Sequence, residues 1–239
     1  MKTFDFWNYK WECAMEGGRI IHPDYPYVFY DERRVKKKDG VVSLTLGLAM
    51  LDHPIHYWNG KDYEPQYGGG LIRSIDTFTY GTFSALIQMP QGGGLWPAFW
   101  LCGDGCWPQH GEIDISEGYS DNKYFRLFTP YFPWINPSWK TTTNMHYFDS
   151  VDKELGSRSV SIFKQPHNPA TSFRKYECKW TPDEIVISID GKVVRKDTDA
   201  VKMFWGNRAR VIFDALCVNR DDIHMKTPML IKEFKYESL

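Results

Sequence analysis

Residues 95–117 read LWPAFWLCGDGCWPQHGEIDISE, an aromatic run followed by three carboxylates within six residues. The final EIDISE alternates polar and apolar side chains, as a half-buried β-strand does. In a regular strand Glu112 and Asp114 point to one face, whereas Glu117 points to the other. A β-bulge at Ile115–Ser116 would add one residue and return Glu117 to the first face. The segment therefore predicts either a solvated acidic strand face or, with the bulge, three clustered acids.

Short apolar runs bounded by turn residues continue on both sides of this segment. FSALIQM ends at PQGGG, and EIVISI ends at Asp190-Gly191, a dipeptide that favours tight hairpin turns. We find no sustained helical period and no internal repeat. The pattern predicts an all-β sandwich or barrel. Because 239 residues suit one large β domain, we expect a single domain over residues 1–239.

Charge and composition narrow the class of ligand. The formal net charge is -1, which does not suit a protein that binds nucleic acid or an anionic membrane. We interpret the basic run 33–38 as a solvated strand end before the Asp39-Gly40 turn. Aromatic residues make up 16% of the chain, with ten tryptophans. Flat rings with a polar edge suit stacking on sugars, so a carbohydrate ligand is favoured.

The five cysteines form an odd set without the paired spacing of a zinc site. Cys102 and Cys106 flank a Gly-Asp-Gly turn, where they could form a disulfide or remain free thiols. The three clustered carboxylates could also bind calcium, although Ca²⁺ usually takes carbonyl ligands as well. We assign no metal ligands from the sequence.

Three carboxylates on one strand face suit the retaining hydrolysis of a glycosidic bond. Two carboxyl groups ~5–5.5 Å apart allow one to attack the anomeric carbon while the other protonates the leaving oxygen. Three anions this close cannot all ionise freely, so at least one is expected to keep its proton near neutral pH. That proton is what a general acid requires.

The acidic motif E-x-D-x-x-E and its upstream tryptophans resemble the signature of glycoside hydrolase family 16, in the branch of laminarinases, agarases and carrageenases. Further segments resemble the family and follow its order: YGGGLIRS (67–74), YGTFSALIQMPQGGGLWPAFW (80–100), TNMHY (143–147), YECKWTPDEIVISIDGK (176–192) and ARVIFDAL (209–216). The resemblance implies a concanavalin-like β-jelly roll of two curved antiparallel sheets, with a substrate cleft on the concave face.

The resemblance also implies roles for individual residues. Glu112 matches the nucleophile, Asp114 the residue that modulates it, and Glu117 the general acid/base. Trp107 matches a tryptophan that stacks on a sugar near the cleavage point. His146 matches a histidine on the neighbouring strand, a hydrogen-bond partner near the carboxylates.

Other substrate-binding residues are inferred from their type and place. Trp96 and Trp100 are four apart, share one strand face, and lie in the cleft or the core. Trp134 and Trp139 follow the acidic strand and are candidates for outer sugar subsites. Arg73 either contacts a sugar hydroxyl or sulfate, or forms a surface salt bridge.

We therefore expect an endo-acting retaining hydrolase of a β-linked polysaccharide, with β-1,3- or β-1,3-1,4-glucan as the first candidate. Relatives that cleave β-glucan commonly carry an acidic and then a basic residue where this chain has Ser84 and Leu86. That departure makes a β-galactan of the agar, porphyran or carrageenan kind, or a host glycan, the alternative substrate. A non-catalytic carbohydrate-binding jelly roll and a transglycosylase are alternative functions.

Expectations about partners and location follow from this chemistry. Double displacement by carboxylates requires no cofactor, and the resemblance allows a structural calcium whose ligands we do not assign. We expect a monomer that acts on polysaccharide and binds neither nucleic acid nor membrane. A polymer substrate implies an extracellular, periplasmic or cell-surface location. Because MKTFDFWNYKWEC lacks the apolar core of a signal peptide, we expect either a trimmed signal or release by lysis or with a virus particle.

Overall fold

The computed structural model describes most of the chain, namely residues 2–15, 18–22, 25–57, 59–105, 110–119, 139–149, 154–165, 168–199, 201, 207–218 and 223–239. For part of three strands it describes the backbone alone, at residues 119, 139–140, 148–149, 154–162 and 164–165.

The described chain consists mainly of β-strands. The first half contains β1 (Thr3–Phe6), β2 (Tyr9–Glu12), β3 (Val28–Tyr30), β4 (Val35–Lys38), β5 (Val41–Leu44), β6 (Leu46–Leu48), β7 (Ile55–His56), β8 (Asp62–Tyr63), β9 (Tyr67–Ser74), β10 (Gly81–Gln88), β11 (Gln91–Gly93) and β12 (Leu95–Gly103). The second half contains β13 (Glu112–Tyr119), β14 (Trp139–Asp149), β15 (Glu154–Gln165), β16 (Arg174–Trp180), β17 (Ile185–Ile189), β18 (Lys192–Asp197), β19 (Ala209–Cys217), β20 (His224–Thr227) and β21 (Met229–Glu237). A 3-10 turn, Glu32–Arg34, leads into β4.

Most of these strands form two large sheets, while β7 pairs with β8 and β11 with β20 in two small ones. The front sheet has the order β1-β2-β9-β19-β12-β13-β14-β15, and β3 and β6 pair with the start of β9. The back sheet has the order β18-β17-β16-β10-β21-β5-β4. Neighbours in both orders are antiparallel, whereas β3 runs parallel to β9. The all-β jelly-roll sandwich expected from the sequence is confirmed.

The core lies between the sheets and is rich in aromatic rings. Phe99 and Phe213 of the front sheet stack with ring centroids 4.5 Å apart, and Phe234 of the back sheet meets Phe213 edge-on at 6.0 Å. Each fully buried ring of this size stabilises the fold by roughly 1.5–3 kcal/mol. The front sheet is therefore anchored through one face, and its opposite face, which we call the site face, carries polar groups.

Two hairpins turn on the Asp-Gly dipeptides seen in the sequence. Asp190 and Gly191 join β17 to β18 with φ of 50° and 77°, and Asp39 and Gly40 join β4 to β5 with φ of 49° and 76°. Positive φ at both central residues matches the strand twist in two-residue hairpins, and Asp-Gly adopts it readily. The hairpin prediction at Asp190-Gly191 is confirmed.

The basic run is a solvated strand, as predicted. Lys36, Lys37 and Lys38 are exposed on β4, at one edge of the back sheet. Lysines on an edge strand discourage pairing with a second sheet. Arg33 is held by Asp31 through a Nε–Oδ1 contact of 2.7 Å.

The inference about the substrate that was drawn from Ser84 and Leu86 is wrong, because neither residue lies on the site face. Both lie on β10, which belongs to the back sheet and pairs with β16 and β21. Their neighbours Phe83, Ala85 and Ile87 fill the core, so Ser84 and Leu86 face away from the front sheet. Their identity therefore says nothing about sugar contacts on the site face.

Candidate active site

A β-bulge places the three acids on the site face. On β12, residues 102, 100 and 98 pair with Glu112, Asp114 and Glu117, while Phe99 faces Ser116 and leaves Ile115 as the extra residue. On the other side, His146 pairs with Glu112 and Thr142 with Glu117. From one acid to the next, the paired residues on β12 and β14 are two positions apart each time. On β13 the acids are first two and then three positions apart. All three carboxylates therefore share one face, as the bulge hypothesis predicted.

A second irregularity follows immediately and supports the first. Glu117 pairs with Thr142 and Tyr119 with Thr141, which leaves Gly118 as another extra residue. Gly118 has φ of 47°, a left-handed conformation that favours glycine. The hydroxyl of Thr142 donates a hydrogen bond to the Glu117 carbonyl oxygen. The backbone at Glu117 is therefore fixed by the bulges at Ile115 and Gly118 and by the hydrogen bond from Thr142.

Trp96 contacts the last acid directly. Its Nε1 donates a hydrogen bond to Glu117 Oε1 at 2.9 Å. The exposed Tyr25 packs edge-on against the Trp96 ring with centroids 5.1 Å apart. Trp96 therefore lies on the site face, the cleft position proposed from the sequence, and its indole orients the Glu117 carboxylate.

Glu112, Asp114 and His146 form the other half of the site. The Glu112 side chain hydrogen-bonds Asp114, which requires a proton on one of the two carboxyl groups. His146 Nε2 lies 3.4 Å from Asp114 Oδ2 and 3.0 Å from Asn144 Nδ2. Because Asn144 Oδ1 accepts from the Met145 N–H at 2.9 Å, its Nδ2 faces the imidazole and donates to Nε2. His146 therefore lies beside the carboxylates, as expected.

Burial sets the protonation of this cluster. Burial raises the pKa of Asp114 well above its usual range, the charge of Glu117 raises it further, and the Glu112 hydrogen bond opposes both. Burial also raises the pKa of Glu117, whereas the Trp96 hydrogen bond and the nearby His146 lower it. A carboxyl group with a raised pKa can keep its proton near neutral pH and act as an acid.

Asp214 is a fourth acid on the site face that sequence reasoning missed. It lies on β19, and both Asp214 and Glu117 pair with Ala98 of the intervening strand. Trp100 Nε1 donates to Asp214 Oδ2 at 2.8 Å. Burial raises the pKa of Asp214 well above its usual range, and the charges of Glu117 and Glu112 add to this. Trp96 and Trp100 share one strand face, as predicted, and the Trp100 indole is hydrogen-bonded to this acid.

The buried Asp214 makes stability fall as pH rises. Its folded-state pKa exceeds the unfolded value, so the native state binds more protons, and stability decreases from about pH 4 up to the raised pKa. Asp214→Asn keeps an acceptor for Trp100 and removes the titration. We expect the melting temperature of Asp214→Asn minus that of the parent to increase by about 2 °C or more between pH 5 and pH 8. Thermal melts at each pH measure this, and an unchanged pH dependence would contradict it.

Arg73 forms a buried salt bridge with Glu12. It is 8% exposed, and its Nε donates to Glu12 Oε1 at 2.9 Å. Arg73 and Glu12 face each other directly across β9 and β2. The pair is buried, whereas the sequence suggested a surface salt bridge. Contact of Arg73 with a sugar hydroxyl or a sulfate stays a prediction.

Three predicted tryptophans cannot be placed. Trp107 and Trp134 lie outside the described residues, and only the backbone of Trp139, at the start of β14, is described. Cys106 also lies outside them, while Cys102 is a free thiol on β12.

One group of described residues has the composition of a metal site. Ligand atoms of Glu112, Asp114 and His146 all lie within 4.8 Å of one another. Calcium prefers six to eight oxygen ligands and does not favour imidazole, so this set does not suit the calcium site considered for the clustered carboxylates. The structural calcium that the resemblance allows stays without assigned ligands. The close approach of these three side chains is explained by the hydrogen bonds described above and by the raised pKa of Asp114.

A sequence signal for Asp214 did exist. In ARVIFDALC the residues Val211, Phe213 and Ala215 fill the core, so the alternate position 214 must face outward on a central strand. A lone carboxylate at such a position is unusual unless it has a partner.

Comparisons with known proteins agree with this architecture. A sequence model described as "Glycosyl hydrolases family 16" matches residues 24–208. The Endo-1,3-1,4-beta-glycanase EglC of Rhizobium meliloti (strain 1021) is 30% identical over 164 residues, which are 67% of this chain and 30% of that protein. The Beta-glucanase of Rhodothermus marinus is 30% identical over 187 residues, which are 76% of this chain and 57% of that protein. The chain thus spans less than two thirds of either relative.

A solved structure shares the fold over nearly the whole chain. The Bacteroides ovatus mixed linkage glucan GH16 in complex with G4G4G3G product superposes with a TM-score of 0.69 at 19% identity, covering 98% of this chain and 97% of that chain. At this identity the likeness concerns the fold.

Proposed function

The chain belongs to family 16 of the glycosyl hydrolases, and from this premise we propose that it is an endo-acting retaining hydrolase of a β-linked polysaccharide. The observation that carries the proposal is the bulge at Ile115, which brings Glu112, Asp114 and Glu117 to one face. Without it, the two glutamates would lie on opposite sides of the sheet.

The reaction proceeds in two steps. Glu112 attacks the anomeric carbon and Glu117 donates its proton to the leaving glycosidic oxygen, giving a covalent glycosyl ester on Glu112. Glu117, now ionised, then removes a proton from water, which attacks the same carbon and releases Glu112. The raised pKa of Glu117 supports the first role, because the acid must hold its proton at working pH.

Asp114 and His146 act on Glu112. A proton within the Glu112–Asp114 hydrogen bond lowers the charge density on the nucleophile while it waits for substrate. When the ester forms, Glu112 loses its charge while Glu117 gains one, and Asp114 keeps its proton 3.4 Å from His146 Nε2. The negative charge thus moves from Glu112 to Glu117 and the total charge of the buried cluster stays constant, which limits the electrostatic penalty of the step.

We propose β-1,3- or β-1,3-1,4-glucan as the first substrate class, because both relatives above carry names of this kind. Laminarin and lichenan should be cut internally, so that a ladder of oligosaccharides appears before small sugars accumulate. Chromatography of early products measures this. Release of monosaccharide from the start, or no cleavage of any β-glucan, would contradict the proposal.

No specific observation favours the main alternatives. The β-galactan reading rested on Ser84 and Leu86, which face away from the site. A purely carbohydrate-binding protein would not need a buried acid with a raised pKa beside two further carboxylates. Transglycosylation uses the same residues, and the ratio of lengthened to hydrolysed products separates the two.

Trp96 should set the alkaline limit of activity. Its hydrogen bond to Glu117 stabilises the ionised carboxylate, so Trp96→Phe should raise the pKa of Glu117 further. Because the general acid must be protonated, kcat/KM falls as pH rises through that pKa. We therefore expect the alkaline limb of the pH profile to move to higher pH in Trp96→Phe. A limb that stays in place or moves to lower pH would remove Trp96 from this role.

The remaining expectations on organisation are proposals as well. We propose that the chain acts as one catalytic domain and as a monomer, without a cofactor, on polysaccharide outside the cytoplasm. Within the described residues there is no helix with the length and hydropathy of a bilayer span.

A further inference from the structure

A small cavity lined by three arginines opens on the site face beside the proposed catalytic centre. Arg19, Arg73 and Arg210 contribute to its wall together with Cys102 and Ile212. Its volume of about 40 Å³ would hold roughly three water molecules. We call it the arginine pocket.

Among the described residues, carboxylates pair with two of the three arginines of this pocket. Arg73 is paired with Glu12, and Arg210 Nε contacts Asp104 Oδ1 at 3.0 Å. Arg19 Nε is buried and, among the described residues, has no hydrogen-bond partner. A guanidinium stays charged at any physiological pH. The wall of the pocket thus carries three positive groups and the carboxylate of Asp104, and Arg19 Nε is an unsatisfied donor.

The pocket lies in line with the proposed nucleophile. Arg210, Cys102, Glu112 and His146 form one row across β19, β12, β13 and β14. Two strand spacings of ~4.8 Å separate the backbones of Arg210 and Glu112 by roughly 10 Å. Burial raises the pKa of the intervening Cys102 to about 12, so this thiol is neutral and does not repel an anion.

We propose that the arginine pocket is a subsite for a compact oxyanion, a sulfate ester or a carboxylate, carried by a substrate sugar next to the one that Glu112 attacks. This inference rests on the proposed function and narrows its substrate to a β-linked chain with acidic substituents. The planar guanidinium fork matches both oxyanions. The volume suits a group of this size, and Glu112 on the far side of Cys102 is kept apart from the bound anion.

The first test measures anion binding without turnover. Sodium sulfate and sodium acetate are titrated calorimetrically into the protein at constant ionic strength. Arg19→Gln removes the unmatched guanidinium, and Arg19→Lys keeps the charge without the fork. Lys179→Gln removes an equal charge from an exposed position on the back sheet and serves as the control. Thermal melts establish that every variant is folded.

We expect saturable binding of at least one anion by the parent and by Lys179→Gln. Arg19→Gln should bind it about tenfold more weakly or worse, the loss expected of charge-assisted hydrogen bonds. Equal binding by Arg19→Gln and the parent, or no binding of either anion by the parent, would overturn the proposal.

The second test uses matched substrates and separates the two anion sources. Neutral laminarin is compared with laminarin carrying sulfate esters and with laminarin oxidised to carboxylates at C6. The measured quantity is kcat/KM for the preferred charged polymer divided by kcat/KM for neutral laminarin. We expect this ratio to fall about tenfold in Arg19→Gln and to stay at the parent value in Lys179→Gln. A ratio unaffected by Arg19→Gln would count against the subsite. Failure to cleave any laminarin would refute the proposed function, while the calorimetric result would still decide the pocket.

Discussion

Glu112→Ser should lower kcat on the polysaccharide by about 10⁴-fold or more, the scale seen when a covalent nucleophile is removed. Serine is too short and too weakly acidic to replace the carboxylate at the anomeric carbon. The fold should persist, because Glu112 is only partly buried and belongs to a cluster of acids that repel one another. Melting within a few degrees of the parent is therefore expected.

The matched control for this variant is Glu237→Ser, which changes an exposed acid at the end of the back sheet. It should retain parental activity. Azide provides a second readout, since a small external nucleophile can occupy the space vacated at position 112. Azide should then attack from that side and give a glycosyl azide of inverted configuration. Substantial unassisted turnover by Glu112→Ser would exclude Glu112 as the nucleophile.

Glu117→Gln should lower kcat/KM about 10²- to 10⁴-fold on a natural polysaccharide, the usual contribution of a positioned proton donor. Glutamine still accepts the hydrogen bond from Trp96 Nε1, so the geometry around position 117 should be preserved. What the variant lacks is the proton for the leaving oxygen. Kinetics on laminarin, with Glu237→Gln as the exposed control, measures the loss.

A leaving group that needs no proton distinguishes this role from a structural one. An aryl glycoside with a strongly acidic phenol should form the glycosyl ester on Glu117→Gln at close to the parental rate. Its later hydrolysis should be slow, because the base for water is missing, so a burst of phenol should precede slow turnover. Equal losses on the aryl glycoside and on the polysaccharide would show that Glu117 is not the general acid.

The local arrangement of the acids could be predicted because strand geometry is simple. Side chains alternate along a strand, so the spacing of Glu112, Asp114 and Glu117 allowed a shared face only with one extra residue, and the bulge at Ile115 supplies it. The hairpin at Asp190-Gly191 was predictable for the same reason, since it depends on two adjacent residues.

The partners of these acids could not be predicted from the local pattern. Asp214 meets Glu117 only through the order β19-β12-β13, which joins segments about 100 residues apart. Ser84 and Leu86 were misplaced because strand alternation says which residues share a face but not which sheet the strand joins. The unsatisfied Nε of Arg19 could not be predicted either, because the pocket around it is formed by strands distant in sequence. Local chemistry was readable in the sequence, whereas pairing between distant strands was not.

The stereochemistry of hydrolysis tests most directly whether the kinked strand brings two acids to one glycosidic bond. Carboxyl groups close enough for double displacement give retention, whereas a wider separation that admits water between them gives inversion. Proton NMR of laminarin or lichenan digestion at early times resolves the anomeric signal of each new reducing end. The β-anomer should appear first, and the α-anomer should follow by mutarotation. Initial appearance of the α-anomer would contradict it.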